Sequence, residues 1–200
     1  AVSYSGMLDA NEVSFGVRAL PNYSFDKADI IVSFGADFLG NWLTTDYATQ
    51  YAAARNPKSG KMAKHYQVES TLTLTGSNAD DWVQIKPSEQ AGLLSNLYNA
   101  LNGGQADSRI AKIVNDLANN SEKSIVVCNS NDAEVQTLVN AINNKLGNYE
   151  NTMSLSNPSF LKQGNDTDVA ALIEEMNAGK IDVLITYNVN PSYTLQNAAE

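Results

Sequence analysis

Polar residues that could bind a ligand stand at the ends of apolar runs in this sequence. They occupy positions 35–37, 129–132 and 187–191. In open α/β sheets, ligands bind at the carboxyl ends of the strands, so all three loops are first candidates, with Gly35, Ala36 and Asp37 in the first, 129–132 as the second, and Asn188 and Asn190 in the third. These loops offer amides and carboxylates without Lys or Arg, and the carboxylate of Asp37 would repel a pyrophosphate. The pattern therefore favours a tight turn at Gly35 over a nucleotide-binding loop.

The residue types most often used in catalysis are isolated from one another. His65 is the only histidine, and a histidine base needs an orienting carboxylate and a nucleophile, so a structural or surface role is favoured. Cys128 is the only cysteine and ends an apolar run, which favours a small buried side chain over a reactive thiol. Asp80 and Asp81 are neighbours, and on a strand they would point to opposite faces. We predict no self-contained catalytic group and no metal site built from the chain's own thiolates.

The elements that position these residues alternate between strand and helix. We predict strands at 27–35, 65–69, 81–85, 124–128 and 181–186, and helices at 46–55, 88–101, 108–118, 133–146 and 166–178. A brief strand at 152–155 precedes a loop at 156–165, and 71–76 is a loop or an edge strand. This alternation predicts an α/β fold with a doubly wound, largely parallel sheet and helices on both faces. A seam near residue 105 would divide the sheet into two halves.

The composition fits one sizeable core or two small ones, since the chain has 200 residues and 43% of them are apolar. Its formal net charge of −9 would be repelled by nucleic acid and by an anionic lipid surface, so neither is expected as a partner. No apolar stretch approaches the roughly 20 residues that span a bilayer, so no membrane insertion is expected. Because the sequence runs from Ala1 to Glu200 without an initiator Met or a natural tail, we interpret it as an excised piece of a longer protein.

Three segments resemble the molybdopterin oxidoreductase superfamily. Residues 23–39 resemble its strand and following turn, which read here as ADII and GAD. Residues 65–87 resemble the next strand and an A-D-x-W element, which reads here as ADDW. Residues 181–194 are similar to a later strand and its N-P loop. The order of the three segments along the chain also agrees with the superfamily.

The narrower match is to the iron–sulfur subunit of alternative complex III, a quinol:electron-acceptor oxidoreductase. It rests on short elements at 36–40, 69–71, 74–76 and 190–194, within a resemblance that spans roughly the whole chain. The resemblance implies that residues 1–200 are a fragment of a molybdopterin-oxidoreductase-like domain, with iron–sulfur clusters elsewhere in the parent. It also implies contacts with other domains and subunits of a membrane-associated respiratory complex, and a periplasmic location after export by a twin-arginine signal.

Two roles are compatible with the resemblance. In a catalytic oxidoreductase, a molybdopterin dinucleotide would be held by Gly35, Ala36, Asp37, Glu69, Asp80, Asn188 and Asn190. Relatives that bind this cofactor tend to have Asp-Pro where this chain has Glu69-Ser70, and Pro-Gly where it has Pro87-Ser88. These departures favour the other role, a cofactor-free structural domain that supports electron transfer by clusters elsewhere. Its predicted core includes Ile31, Val32, Val126, Val127, Leu184 and Ile185. An unrelated ligand-binding α/β domain is the third interpretation.

Overall fold

The computed structural model describes residues 3–195, which form an α/β fold. Its helices are α1 (Ser5–Phe15), α2 (Asp46–Ala54), α3 (Leu74–Ser77), α4 (Gln90–Leu101), α5 (Ala111–Ala118), α6 (Ala133–Lys145), α7 (Asp166–Asn177) and α8 (Pro191–Thr194). Its strands are β1 (Leu20–Tyr23), β2 (Ile30–Phe34), β3 (Lys64–Glu69), β4 (Asp81–Gln84), β5 (Ser124–Cys128) and β6 (Met153–Ser159). Four strands make a parallel sheet in the order β4-β3-β2-β5, while β1 and β6 pair antiparallel. The predicted doubly wound α/β fold is confirmed.

The centre of the sheet is buried on both faces, as its β-branched sequence predicts. Val32 of β2 lies opposite Tyr66 of β3 and Val126 of β5. One face packs against α1 and α2 through a core that contains Ile31 and Ile125. The other face packs against α4, α5 and α6 through a core that contains Val32 and Val126. Helices therefore cover both faces, and Ile31, Val32, Val126 and Val127 are buried as predicted.

The outer edge of β5 is closed by side chains instead of by another strand. The Asn143 side chain on α6 donates from Nδ2 to the carbonyl oxygen of Val126 over 2.8 Å, and its Oδ1 accepts from the Val126 N–H over 3.1 Å. Thr152 donates to the carbonyl of Ser124 over 2.6 Å, and Gln136 donates to that of Cys128 over 3.0 Å. An amide side chain thus takes the place of a neighbouring peptide group, and the edge needs no further strand.

The predicted strand at 181–186 is absent from the described residues, which is a correction to the sequence analysis. Leu184 is 53% exposed and Ile185 is 89% exposed, so neither belongs to the core that was predicted for it. A strand forms only where another strand supplies hydrogen bonds. The edge of β5, where the next strand of such a sheet would lie, is already occupied by Asn143. The segment has the sequence pattern of a strand, but no strand among residues 3–195 pairs with it.

Several other elements differ from the predictions. The segment predicted as a loop or edge strand at 71–76 contains the short helix α3, and the strand predicted at 152–155 is β6, which extends to Ser159. The sequence analysis missed α1, because its buried face includes Ser5, Gly6 and Asn11 and so lacks an apolar stripe. Of the helices described here, none is both long and apolar enough to cross a membrane.

Candidate functional site

The carboxyl edge of the sheet is where the strand order reverses, between β2 and β5, and such a crevice is the usual ligand site of this fold. Gly35 follows β2 with a φ of +68°, a conformation that favours glycine. A Cβ on Gly35 would lie only 2.8 Å from Oδ1 of Asn129, the residue that follows β5. The Asn129 N–H donates to the carbonyl of Phe34 over 3.1 Å. The crevice between the two strands is therefore filled by Asn129.

Two further elements close this crevice. Gln90, at the start of α4, places its Nε2 3.0 Å from Sγ of Cys128. On the other side, the N–H of Gly6 in α1 donates to Oδ1 of Asn131 over 3.0 Å. A Cβ on Gly6 would overlap the carbonyl oxygen of Asn131, so only glycine lets α1 approach this loop so closely. The usual ligand position holds the protein's own polar groups.

Ala36 has no free backbone group to offer a ligand. It is buried, its N–H donates to the Ser33 hydroxyl over 3.1 Å, and its carbonyl oxygen accepts from the same hydroxyl over 2.9 Å. Phosphate loops depend on backbone N–H groups that point outward to the anion. The turn after β2 therefore has a structural role in this geometry.

The structure brings Asp37 and Glu69 together at α3. Asp37 Oδ1 accepts from the Thr75 N–H over 3.0 Å and from its hydroxyl over 2.7 Å. Glu69 Oε1 accepts from the Thr73 N–H over 2.9 Å and from Trp82 Nε1 over 3.1 Å. Carboxylates are favourable at the first turn of a helix because its N–H groups are unpaired. Asp37, which strand-end reasoning selected, and Glu69, which only the family resemblance selected, thus hold a short helix in place.

Glu69 is also the end of a buried row of polar side chains along one face of β3. His65, Gln67 and Glu69 alternate along the strand, so they share a face. His65 Nε2 lies 3.3 Å from Gln67 Oε1, and Gln67 Nε2 donates to Glu69 Oε2 over 2.8 Å. At the other end, the Tyr51 hydroxyl lies 3.1 Å from His65 Nδ1. The row links the amino end of β3 to the carboxyl edge of the sheet.

Burial makes His65 and Cys128 poor reactive groups. Neither side chain reaches solvent, and desolvation lowers the pKa of His65 to about 4. Burial likewise raises the pKa of the Cys128 thiol to about 11, so the thiol stays protonated at neutral pH. A neutral imidazole and a protonated thiol, both enclosed, can pack and hydrogen-bond but cannot reach a substrate. Among residues 3–195, no group of three His, Cys, Asp or Glu side chains could hold a metal ion.

The remaining predicted site residues lie elsewhere. Asp80 precedes β4 at the amino end of the sheet, where it accepts from the His65 N–H over 2.7 Å and from Arg55 Nη2 over 2.8 Å. The hydrogen bond from Arg55 lowers the pKa of this carboxyl below its usual value. Asn188 and Asn190 are exposed and belong to the C-terminal part of the chain. The seven candidate residues therefore do not form one site.

Two of the concave surfaces lie away from the carboxyl edge of the sheet. One, of about 480 Å³, is lined by Asn96, Gln105, Ala106, Asp107 and Ser108 between α4 and α5. The other, of about 220 Å³, is lined by residues that include Asp29, Ala54 and Lys61 near the amino ends of β2 and β3. In the second, Lys61 already donates to Asp29 over 2.6 Å. In the first, Arg109 already donates to the Asp107 carboxylate over 2.8 Å.

No family model matches this chain, and no curated protein matches it. Among solved structures, it is similar to a chain in the crystal structure of the formyltransferase/hydrolase complex (FhcABCD) from Methylorubrum extorquens, which was solved in complex with methylofuran. The TM-score is 0.56 and the sequence identity is 16%, over 94% of this chain and 61% of that chain. This chain thus spans about three fifths of the length of that neighbour, and at this identity the likeness shows the fold alone.

These comparisons overturn the resemblance to molybdopterin oxidoreductases and to the iron–sulfur subunit of alternative complex III. The solved structure that matches is a chain of a formyltransferase/hydrolase complex. The interpretation as a segment of a respiratory quinol-oxidising complex is wrong for the same reason. The motifs behind it were short, and each combined a strand-like run with turn residues, although the run at 181–186 forms no strand in the structure. Such patterns recur in α/β sheets because strand burial and turn geometry require them, so they indicate the fold and not a family.

Proposed function

We propose that this chain is a protein-assembly module. A folded body, residues 3–159, presents a C-terminal arm, residues 160–195, to another polypeptide. The observation that carries this proposal is the exposure of the arm. None of its residues is buried, although its sequence contains the apolar patterns of both a helix and a strand. Contiguous exposed apolar surface of this kind marks interaction sites.

The helix of the arm, α7, has an apolar stripe of which no residue is buried. Val169, Leu172, Ile173 and Met176 recur at helical spacing, and α7 has no buried residue. Val169 is 43% exposed and Leu172 is 38% exposed. Helices of this length owe most of their stability to the packing of such a stripe. A partner that covers the stripe would supply the missing contacts.

The segment that follows α7 is more exposed still. Val183, Ile185 and Tyr187 stand on alternate positions and are 76%, 89% and 91% exposed. The same alternation made this segment a predicted strand. An apolar, β-branched run in solvent is a template for pairing with another chain.

The base of the arm is fixed to the body. Ser5 Oγ accepts from the Asp166 N–H over 3.1 Å, and Asn131 Nδ2 donates to the Asp166 carboxylate over 2.7 Å. Arg18 donates to the carbonyl of Gly164 over 3.0 Å. An arm with an ordered base loses less conformational entropy when a partner binds. The filled crevice at the carboxyl edge, and a neighbour of the same fold that comes from a multi-chain complex, further support assembly over catalysis.

The test is the mass of the protein purified under mild conditions from cells that produce it naturally. Light scattering should give a mass well above that of one chain. The double variant Val183→Asp/Ile185→Asp should have the mass of one chain, and its melting temperature should equal that of the wild-type chain separated from its partner, because neither side chain is buried in the chain alone. A matched control, Val13→Asp/Val17→Asp, alters two exposed valines of the body and should retain the larger mass. A wild-type protein that is always a single free chain would refute the proposal.

A further inference from the structure

We infer that the partner of the arm is a different protein with a basic, apolar face, and that residues 181–187 pair with a free strand edge of its sheet. This inference rests on the proposed assembly function and names the chemistry of the partner. Two independent features of the arm support it, its charge and its strand pattern.

The charge of the arm argues for a basic partner. Its acidic residues are Asp166, Asp168, Glu174, Glu175 and Asp182, and its basic residues are Lys162 and Lys180, which gives a net charge of −3. All ion pairs among the described residues lie in the body, so these carboxylates are not neutralised by salt bridges within residues 3–195. A surface with Lys or Arg around an apolar centre would be attracted to the arm.

The same charge argues against a second copy of this chain. Docking of two arms would bring two surfaces of net charge −3 together, within two molecules that each carry −9. Like charges opposed across an interface are unfavourable, and they also slow the encounter of the two molecules. A partner of opposite charge is subject to neither effect.

The strand pattern argues for pairing with a sheet edge. Ile181, Val183, Ile185 and Tyr187 would form one apolar face of a strand, and Asp182, Leu184 and Thr186 the more polar face. The run contains neither Gly nor Pro, so every residue between 181 and 187 can take part in a strand. Within the body, the edge of β5 is closed by Asn143, Thr152 and Gln136. Addition of a strand to an exposed sheet edge is a common mode of peptide recognition, in which main-chain hydrogen bonds give the affinity.

The experiment uses the complex purified from its natural cells and then reconstituted from its separated components. The arm variant Glu174→Gln/Glu175→Gln/Asp182→Asn should weaken binding about tenfold, because it removes three carboxylates that would face the basic partner. The control Glu12→Gln/Asp26→Asn/Glu134→Gln removes the same number of charges from exposed positions of the body and should change the dissociation constant less than about twofold. Affinity should also fall as the salt concentration rises.

Amide hydrogen exchange tests the strand. In the complex, alternate amides between 181 and 187 should exchange more slowly than in the free chain, because an edge strand donates only every second N–H to its neighbour. Exchange that is unchanged throughout 181–187, or equal affinities of the arm and control variants, would overturn the inference while leaving the assembly function in place. A complex made of two copies of this chain, or an arm covered by a segment of the same polypeptide, would overturn it as well. A protein that forms no complex at all would refute the proposed function itself.

Discussion

The imidazole of His65 is enclosed between the Tyr51 hydroxyl and the Gln67 amide, with no exposed surface. In the folded protein its pKa is lowered to about 4 by desolvation, against about 6.5 in an unfolded chain. Between these two values the unfolded state binds a proton and the folded state does not. Proton binding therefore favours unfolding across this range of pH.

We expect the free energy of unfolding to fall as the pH is lowered from 7 towards 4, with a total loss of about 3 kcal/mol from His65. The loss begins near pH 6.5, where other side chains of the unfolded chain do not titrate, and His65 contributes no change above pH 7.5. Urea unfolding at several pH values measures the slope. Because the chain has one histidine, its single imidazole NMR signal reports the folded pKa directly. A titration midpoint near 6.5 would contradict the burial of this group.

Residue types and strand ends predicted part of this chemistry. Cys128 is a small buried side chain, as its apolar surroundings in the sequence indicate, and Asp37, selected at a strand end, and Glu69, selected only by the family resemblance, both lie at the carboxyl edge. Sequence reasoning missed that both carboxylates bind N–H groups of the segment that holds α3. It missed this because the capping Thr73 and Thr75 lie in an alternating stretch that reads as a strand. Asn129 stands in a strand-end loop that the sequence did single out, but its role in filling the crevice was not predicted, because an amide that fills a crevice has no periodic pattern.

At the scale of elements, the edge of β5 depends on one side chain of α6. Asn143 bonds both backbone groups of Val126, and its Oδ1 also accepts from Asn148 Nδ2 over 2.8 Å. Replacement by Ala would leave a buried N–H and a buried carbonyl without partners. Each such group costs about 1–3 kcal/mol.

The variant Asn143→Ala should therefore lose about 3 kcal/mol of unfolding free energy, as measured by urea denaturation. The neighbouring residue, Asn144, is exposed on the same helix and provides a matched control. Asn144→Ala should be neutral or slightly stabilising, because Ala is the better helix former. Equal stabilities of the two variants would show that the Asn143 side chain does not close the edge of β5.

Elements with long apolar patterns were predictable, and those that depend on partners were not. The strand β5 matches its predicted bounds and β2 lies within the run predicted at 27–35, because both faces of each strand are apolar. The segment at 181–186 has a similar pattern, yet it is not a strand in the structure. A strand also needs a free sheet edge to pair with, and the sequence pattern does not show whether such an edge is available. The helix α1 was not predicted from the sequence although it forms, because it lacks an apolar pattern. Its buried face consists largely of small and polar residues. Because Gly6 has no side chain, the helix can contact the loop after β5.

At the scale of the whole molecule, the body and the arm make unequal contributions to stability. The body contains every buried residue of the described chain, and its last strand, β6, pairs with β1 and contributes the buried Met153. The arm is joined to the body by a few polar contacts at Gly164 and Asp166. The hydrophobic contribution to folding scales with apolar area removed from water, and the arm buries little.

A chain that ends at Gln163 should therefore fold, and its free energy of unfolding should lie within about 1 kcal/mol of that of the full chain. A chain that ends at Asn151 is the control, because it also loses β6, Met153 and the bond from Thr152 to Ser124. We expect this control to lose several kcal/mol, since it removes a buried side chain together with a strand pairing. Thermal and urea unfolding of the three chains provide the comparison. If ending the chain at Gln163 were as damaging as ending it at Asn151, the arm would be part of the folding unit, and its exposed apolar residues could not be reserved for a partner.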